Sequence, residues 1–199
     1  MSLLRPILAL ALGLLLVGCS TVPVPAYKPP IDNTETLLKH PQDKLAVGNV
    51  QAGIDVPDIK LSVRASALTG AGPNHTFSTY LQEALTAELT AAGRFDATAP
   101  TQIEAVLTQN ELDSSGFSKG TANLGARFVV IRDKQAIYNK TLTVQHEWES
   151  SILGGIAIPR AIENYPTAVQ KLVGKLFADP DFVQAVDGST TPVAGTKTP

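Results

Sequence analysis

Residues 101–149 read TQIEAVLTQNELDSSGFSKGTANLGARFVVIRDKQAIYNKTLTVQHEWE, and three runs within them alternate with the period of two that marks half-buried strands. In the first, 101–112, Ile103, Ala105 and Leu107 point one way and Glu104, Val106 and Thr108 the other. In the second, 121–131, Ala122, Leu124, Ala126, Phe128 and Val130 oppose Thr121, Asn123, Arg127 and Val129. The third, 135–149, sets Tyr138, Leu142, Val144, His146 and Trp148 against Asn139, Thr141, Thr143, Gln145, Glu147 and Glu149. Asp133-Lys134-Gln135 is short enough for a hairpin and 114–120 (SSGFSKG) makes a looser one, so the three strands predict an antiparallel meander with one wet face.

Such a sheet needs cover on its apolar face. Upstream, 77–93 (FSTYLQEALTAELTAAG) places Phe77, Leu81, Ala84, Leu85, Leu89 and Ala92 on one helical stripe and turns Gln82, Glu83, Thr86 and Glu88 away. Asn74 or Thr76 can cap its start and Gly93 its end. Downstream, Ala168, Val169, Leu172, Val173, Leu176 and Phe177 form a second stripe, with Pro166 in the first turn and Asp179-Pro180 ending the helix and opening a short one that carries Phe182 and Val186. A further strand is expected in 44–52 (KLAVGNVQA), and an extended piece in 59–66 (IKLSVRAS). The expected fold is α+β: a two-layer sandwich of a mainly antiparallel sheet of about four strands with two amphipathic helices on one face.

The first thirty residues are of another kind. Arg5 precedes an apolar run from Ile7 to Val17 that would rise only about 16 Å as a helix, short of the ~30 Å hydrocarbon core. Basic start, apolar run and small residues are the layout of a cleaved secretory signal, here 1–18. Cys19, the single cysteine of the chain, follows Leu16-Val17-Gly18; LVGC resembles the bacterial lipoprotein lipobox, in which the thiol is acylated and becomes the mature N-terminus. Two or three acyl chains, at ~0.8 kcal/mol per buried methylene, would hold the protein in a membrane. Ser20 instead of an aspartate resembles the default signal for the outer membrane, with the protein facing the periplasm. Residues 19–43 contain Pro23, Pro25, Pro29, Pro30 and Pro41 and read as a lipidated N-terminus and extended tether reaching about 70 Å at most. Residues 44–186 make one domain, and 187–199 (DGSTTPVAGTKTP) read as a disordered tail.

With the signal removed, 15 basic side chains face 18 acidic ones without single-sign blocks, which speaks against a nucleic-acid surface. His40, His75 and His146 have neither i, i+4 spacing nor a neighbouring cysteine, so no metal site is expected. His146-Glu147-Trp148-Glu149 gathers a base and two carboxylates, but a strand puts His146 and the glutamates on opposite faces. No serine lies in a nucleophile elbow, and no Walker or dinucleotide loop occurs. No catalytic residue and no cofactor is expected. The one feature that local folding does not demand is 152–159 (ILGGIAIP): an apolar, glycine-hinged loop followed by Arg160. It is either a crossover buried over helix ends or a contact for a partner or membrane through Ile152, Leu153, Ile156, Ile158 and Arg160.

Leu81-Gln82-Glu83-Ala84-Leu85 through Gly93, TQIEAVLTQNELDSS and AVQKLVGKLFADPDFVQAV together resemble the YajG-type family of small bacterial lipoproteins. More broadly the layout is similar to envelope lipoproteins that serve as transporter auxiliaries or activators of peptidoglycan synthases. The resemblance implies a non-enzymatic accessory or binding module of an envelope protein complex, with membrane lipid and an envelope protein as partners and no nucleic acid. A carrier or chaperone for a lipid or small hydrophobic ligand is the second expectation, motivated by the apolar loop.

Overall fold

The computed structural model describes residues 21–39, 43–72 and 74–187; the signal segment, Cys19, His40 and the tail from 188 onward lie outside them. The strands expected from alternation form where the alternation is. β1 (Thr21–Pro23), β2 (Ala46–Ala52), β3 (Leu61–Val63), β4 (Ser66–Thr69), β5 (Thr101–Asp113), β6 (Lys119–Arg132) and β7 (Gln135–Glu149) build two sheets. The larger has the order β2-β5-β6-β7, antiparallel except that β2 runs parallel to β5; the smaller is β1-β4-β3. The β6–β7 hairpin turns on Asp133 and Lys134, both at positive φ (51° and 65°), as a two-residue turn matching strand twist requires.

The apolar side of the larger sheet carries Ile103, Leu107, Leu124, Phe128, Tyr138, Leu142 and Trp148, all buried. Two helices cover it, α2 (Phe77–Ala91) and α3 (Gly154–Phe177), so the fold is the expected α+β sandwich; α1 (Ile31–Leu38) and α4 (Pro180–Val186) are the other helices among the described residues. The Thr76 hydroxyl caps α2 by accepting from Thr79 N at 3.2 Å. Gly93, at φ 66°, closes it, with Arg94 N donating to Leu89 O. Asp179 caps α4, accepting from Asp181 N at 3.0 Å.

A register shift in β5 between Leu107 and Gln109 reverses the alternation beyond it. Asn110, which strict alternation would send to the wet face, is instead 1% exposed. Its Oδ1 accepts from the Tyr165 hydroxyl (2.8 Å) and its Nδ2 donates to Pro57 O (2.7 Å). The bulge thereby ties α3 to the loop before β3. Opposite it stands Gly125, where an added Cβ would lie 2.9 Å from Thr108 Oγ1.

The structure corrects the sequence reading in three places. Residues 152–166 are not a loop leading to a helix at Pro166. The helix starts at Gly154 and holds both Pro159 and Pro166, because Ala157, Ala161 and Tyr165 extend the buried stripe by two turns. Glu88 does not face water but is fully buried. The stretch read as a tether is built into the fold from Thr21 to Leu38. β1 pairs in parallel with β4, Val24 and Leu37 are 3% exposed, and α1 packs against both α2 and α3. Prolines suit this segment because it crosses the helices in extended form between Pro23 and Pro30, where few backbone amides need ladder partners.

Glu88 is what this segment locks onto. Its Oε1 accepts from the Tyr27 hydroxyl (2.5 Å) and from Asn33 Nδ2 (2.8 Å). Asn33 Nδ2 also reaches Gln170 O (3.0 Å), and Gln170 Nε2 donates to Lys28 O (2.8 Å). Tyr27 stacks edge-on against Tyr80 at 6.0 Å, and Tyr80 lies 6.2 Å from Tyr165. Burial raises the Glu88 pKa against the opposing effect of its two donors. An acid whose folded pKa lies above its unfolded value of about 4.3 supports the fold fully below that value and loses the contribution as pH rises through the folded pKa. Glu88→Gln, which cannot ionise, should therefore gain stability relative to the parent protein as pH is raised from about 4 to 7. Urea melts across that range check it; parallel pH profiles for the two proteins would contradict it.

Candidate functional site

Of the five residues named from the apolar stretch, four are presented to the outside. Ile152 (56%), Leu153 (62%) and Ile156 (46%) are exposed large apolar side chains, and Arg160, one turn beyond Ile156, is exposed as well. Ile158 departs from that set: it is half-buried and packs on the core, because helical spacing from Ala157 and Ala161 turns it inward. The structure adds a residue that the sequence reading passed over. Phe117, at the tip of the β5–β6 connection, is 80% exposed. A phenylalanine set among serines and glycines in a turn was the available signal.

Arg64 brings these pieces together. It sits with Ala65 in the two-residue turn joining β3 to β4, at φ 56°. Its Nη2 donates both to Gly116 O (2.8 Å) and to Ser151 O (2.9 Å). One guanidinium nitrogen thus holds the residue before Phe117 beside the residue before Ile152, and a backbone bond from Ser150 N to Ser118 O (2.8 Å) closes the same two segments. β1 enters at the same end, since Thr21 pairs with Ala67 at the start of β4. The point where the described chain begins, the arginine clamp and the apolar side chains therefore share one end of the molecule.

His146 and Trp148 lie on the buried side of β7 as alternation requires, with the glutamates outside. Trp148 lies over Gly120, where an added Cβ would come within 2.5 Å of its ring. Lys171 Nζ stands 2.9 Å from His146 Nδ1 and Asn164 Oδ1 stands 3.0 Å from Nε2. An ammonium can only donate, so Nδ1 accepts and the ring proton sits on Nε2, donated to Asn164. Asn164 is oriented by its own bond from Nδ2 to Arg160 O (2.8 Å). Burial first, then the Lys171 charge, lower the His146 pKa, and the Asn164 bond opposes them. These bonds pin α3 to β7. Among the described residues no group of three His, Cys, Asp or Glu side chains is placed to hold a metal ion.

Two outcomes follow from this geometry. Arg64→Ala should cost about 2 kcal/mol, the loss of two charge-assisted hydrogen bonds, and should speed amide exchange at 114–118 and 150–153 selectively. Exchange that quickens uniformly would argue against a local clamp. Since the folded His146 pKa lies below the unfolded one, its contribution is present above about pH 6.5 and lost as pH falls through the folded value. His146→Gln should flatten the decline in urea midpoint on the acid side of about pH 6.5, read from denaturation curves at each pH.

Comparison with known proteins gives a fold and no family. No family model matches the sequence, and no curated protein matches it. Among solved structures the chain is similar to protein XCC0632 from Xanthomonas campestris, of the DUF330 family, at 18% identity and a TM-score of 0.50, over 80% of this chain and 89% of that one. It is also similar to a "putative lipoprotein" from Caulobacter crescentus CB15, at 11% identity and a TM-score of 0.44, over 76% of this chain and 93% of that one. The first of these is a likeness of fold.

Proposed function

We propose that this chain is a lipoprotein held by an acylated Cys19 in the outer membrane and facing the periplasm, where it serves as a non-enzymatic accessory module of an envelope protein complex. The observation that carries the reading is Leu16-Val17-Gly18-Cys19 at the end of an eleven-residue apolar run: the thiol is placed where a signal would be cut, and it is the single thiol of the chain. Among the described residues no helix is long and apolar enough to cross a membrane. The resemblance of its helices and strands to the YajG-type family supports the accessory role. So does the face of the larger sheet turned away from the helices, where Arg127, Thr141, Thr143 and Gln145 are exposed and offer a broad hydrogen-bonding surface instead of a cleft. A groove of about 550 Å³ has a mixed lining, with Lys44, Asp96, Arg132 and Asp133 beside Ala99 and Pro100.

Metabolic labelling with a fatty-acid analogue should mark the parent protein and leave Cys19→Ala unmarked and released from the membrane fraction; label or membrane retention in the variant would overturn the anchor. Crosslinking in intact cells followed by purification should recover an envelope protein in fixed proportion. Recovery of the chain by itself would overturn the accessory role.

A further inference from the structure

We infer that the end of the molecule carrying Phe117, Ile152, Leu153 and Ile156 is its membrane-facing surface, seated in the lipid interface beneath the anchor. The inference rests on the reading of Cys19 as the acylated residue and adds an orientation to it. Cys19 precedes Thr21 by two residues, a span of at most about 7 Å, and Thr21 is paired to Ala67 in β4. The turn that opens β4 carries Arg64, whose Nη2 holds Gly116 O and Ser151 O at 2.8 and 2.9 Å. Phe117 and Ile152 each follow directly on those carbonyls. A lipid chain on Cys19 is therefore attached two residues from the strand pair that carries the Arg64 turn, at the end of the molecule where four large apolar side chains are 46–80% exposed.

The packing of 21–38 onto the helices makes this more than proximity. A free tether of that length would let the body turn any face to the bilayer. With β1 in the sheet and α1 packed against α2 and α3 through Asn33 and Leu37, the slack between anchor and body shrinks to two residues, so one end of the domain stays at the headgroup level. Apolar side chains at that level bury themselves about 5–10 Å deep, at the boundary of headgroups and acyl chains. Arg160, exposed one turn beyond Ile156, puts a cation at the height where lipid phosphates lie. Lipid is the occupant the chain itself brings to this surface, at a local concentration that no diffusing protein matches.

Because acylation consumes the single native thiol, an introduced cysteine in the full-length lipoprotein is the one site open to a maleimide dye. Phe117→Cys, Leu153→Cys and, on the open sheet face, Thr141→Cys would be labelled with an environment-sensitive fluorophore and reconstituted into phosphatidylethanolamine–phosphatidylglycerol vesicles with and without doxyl-labelled lipid. The expected result is blue-shifted emission at 117 and 153, with doxyl quenching at least about twofold stronger than at 141. If the protein floats with the vesicles while 117 and 153 stay as wet as 141, the orientation is wrong and the anchor stands. If 117 and 153 are shielded from water-borne iodide yet untouched by doxyl lipid, protein covers the surface and the lipid assignment is overturned. Failure to float with vesicles overturns anchor and orientation together.

Discussion

Three long strands that alternate apolar and polar residues leave one face of the sheet unable to stay in water, and the rest of the chain is arranged to cover it. Each fully buried Leu, Ile or Phe on that face contributes about 1.5–3 kcal/mol, so Ile103, Leu124 and Phe128, all at 1% exposure or less, favour any arrangement that brings a matching apolar stripe over them. α2 and α3 supply the stripes. Their outer surfaces then meet the chain ahead of β2, and α1 with the extended segment before it fills that space through Val24, Leu37, Tyr27 and Asn33.

Glu88 shows how far this cover is committed. A fully buried carboxyl is unfavourable unless it is paired or keeps its proton, and Glu88 is met from the N-terminal segment by a phenol and an amide on the same oxygen. Remove the segment and the carboxyl loses both donors. The N-terminal stretch from Thr21 to Leu38 is thus part of the folded body and not a free linker.

The apolar end of the molecule follows from the same economy of contacts. Ile152 and Leu153 precede α3, Ile156 lies on its first turn, and Phe117 tips a hairpin. None is needed by the core, which at α3 is served by Ala157, Ala161 and Tyr165. Arg64 gathers them without burying them, in a backbone conformation at φ 56° that a non-glycine residue adopts at a cost.

Alternation and helical spacing in the sequence were sufficient for β6, β7, β5 as far as Leu107, the Gly93 end of α2 and the turn at Asp179, because each depends on neighbours within a few residues; the start of α2 was narrowed to Asn74 or Thr76, and Thr76 is the cap. The lipobox-like LVGC is legible for the same reason, being a local pattern that needs no fold. Other features came only from tertiary structure. Pro-rich composition argues for an extended chain, and the chain is extended only up to Pro30, beyond which Ile31–Leu38 turn into α1; that the segment lies on the helices was decided by residues more than fifty positions away, Glu88 above all. The start of α3 was set by burial against the sheet, which outweighed two prolines. The bulge that turns Asn110 inward, and the Arg64 clamp that draws 116 and 151 to one place, join segments whose separation in sequence carries no periodic trace. Local sequence specifies which faces are apolar; only the closed fold decides which of those faces meet one another and which are left over to meet something else.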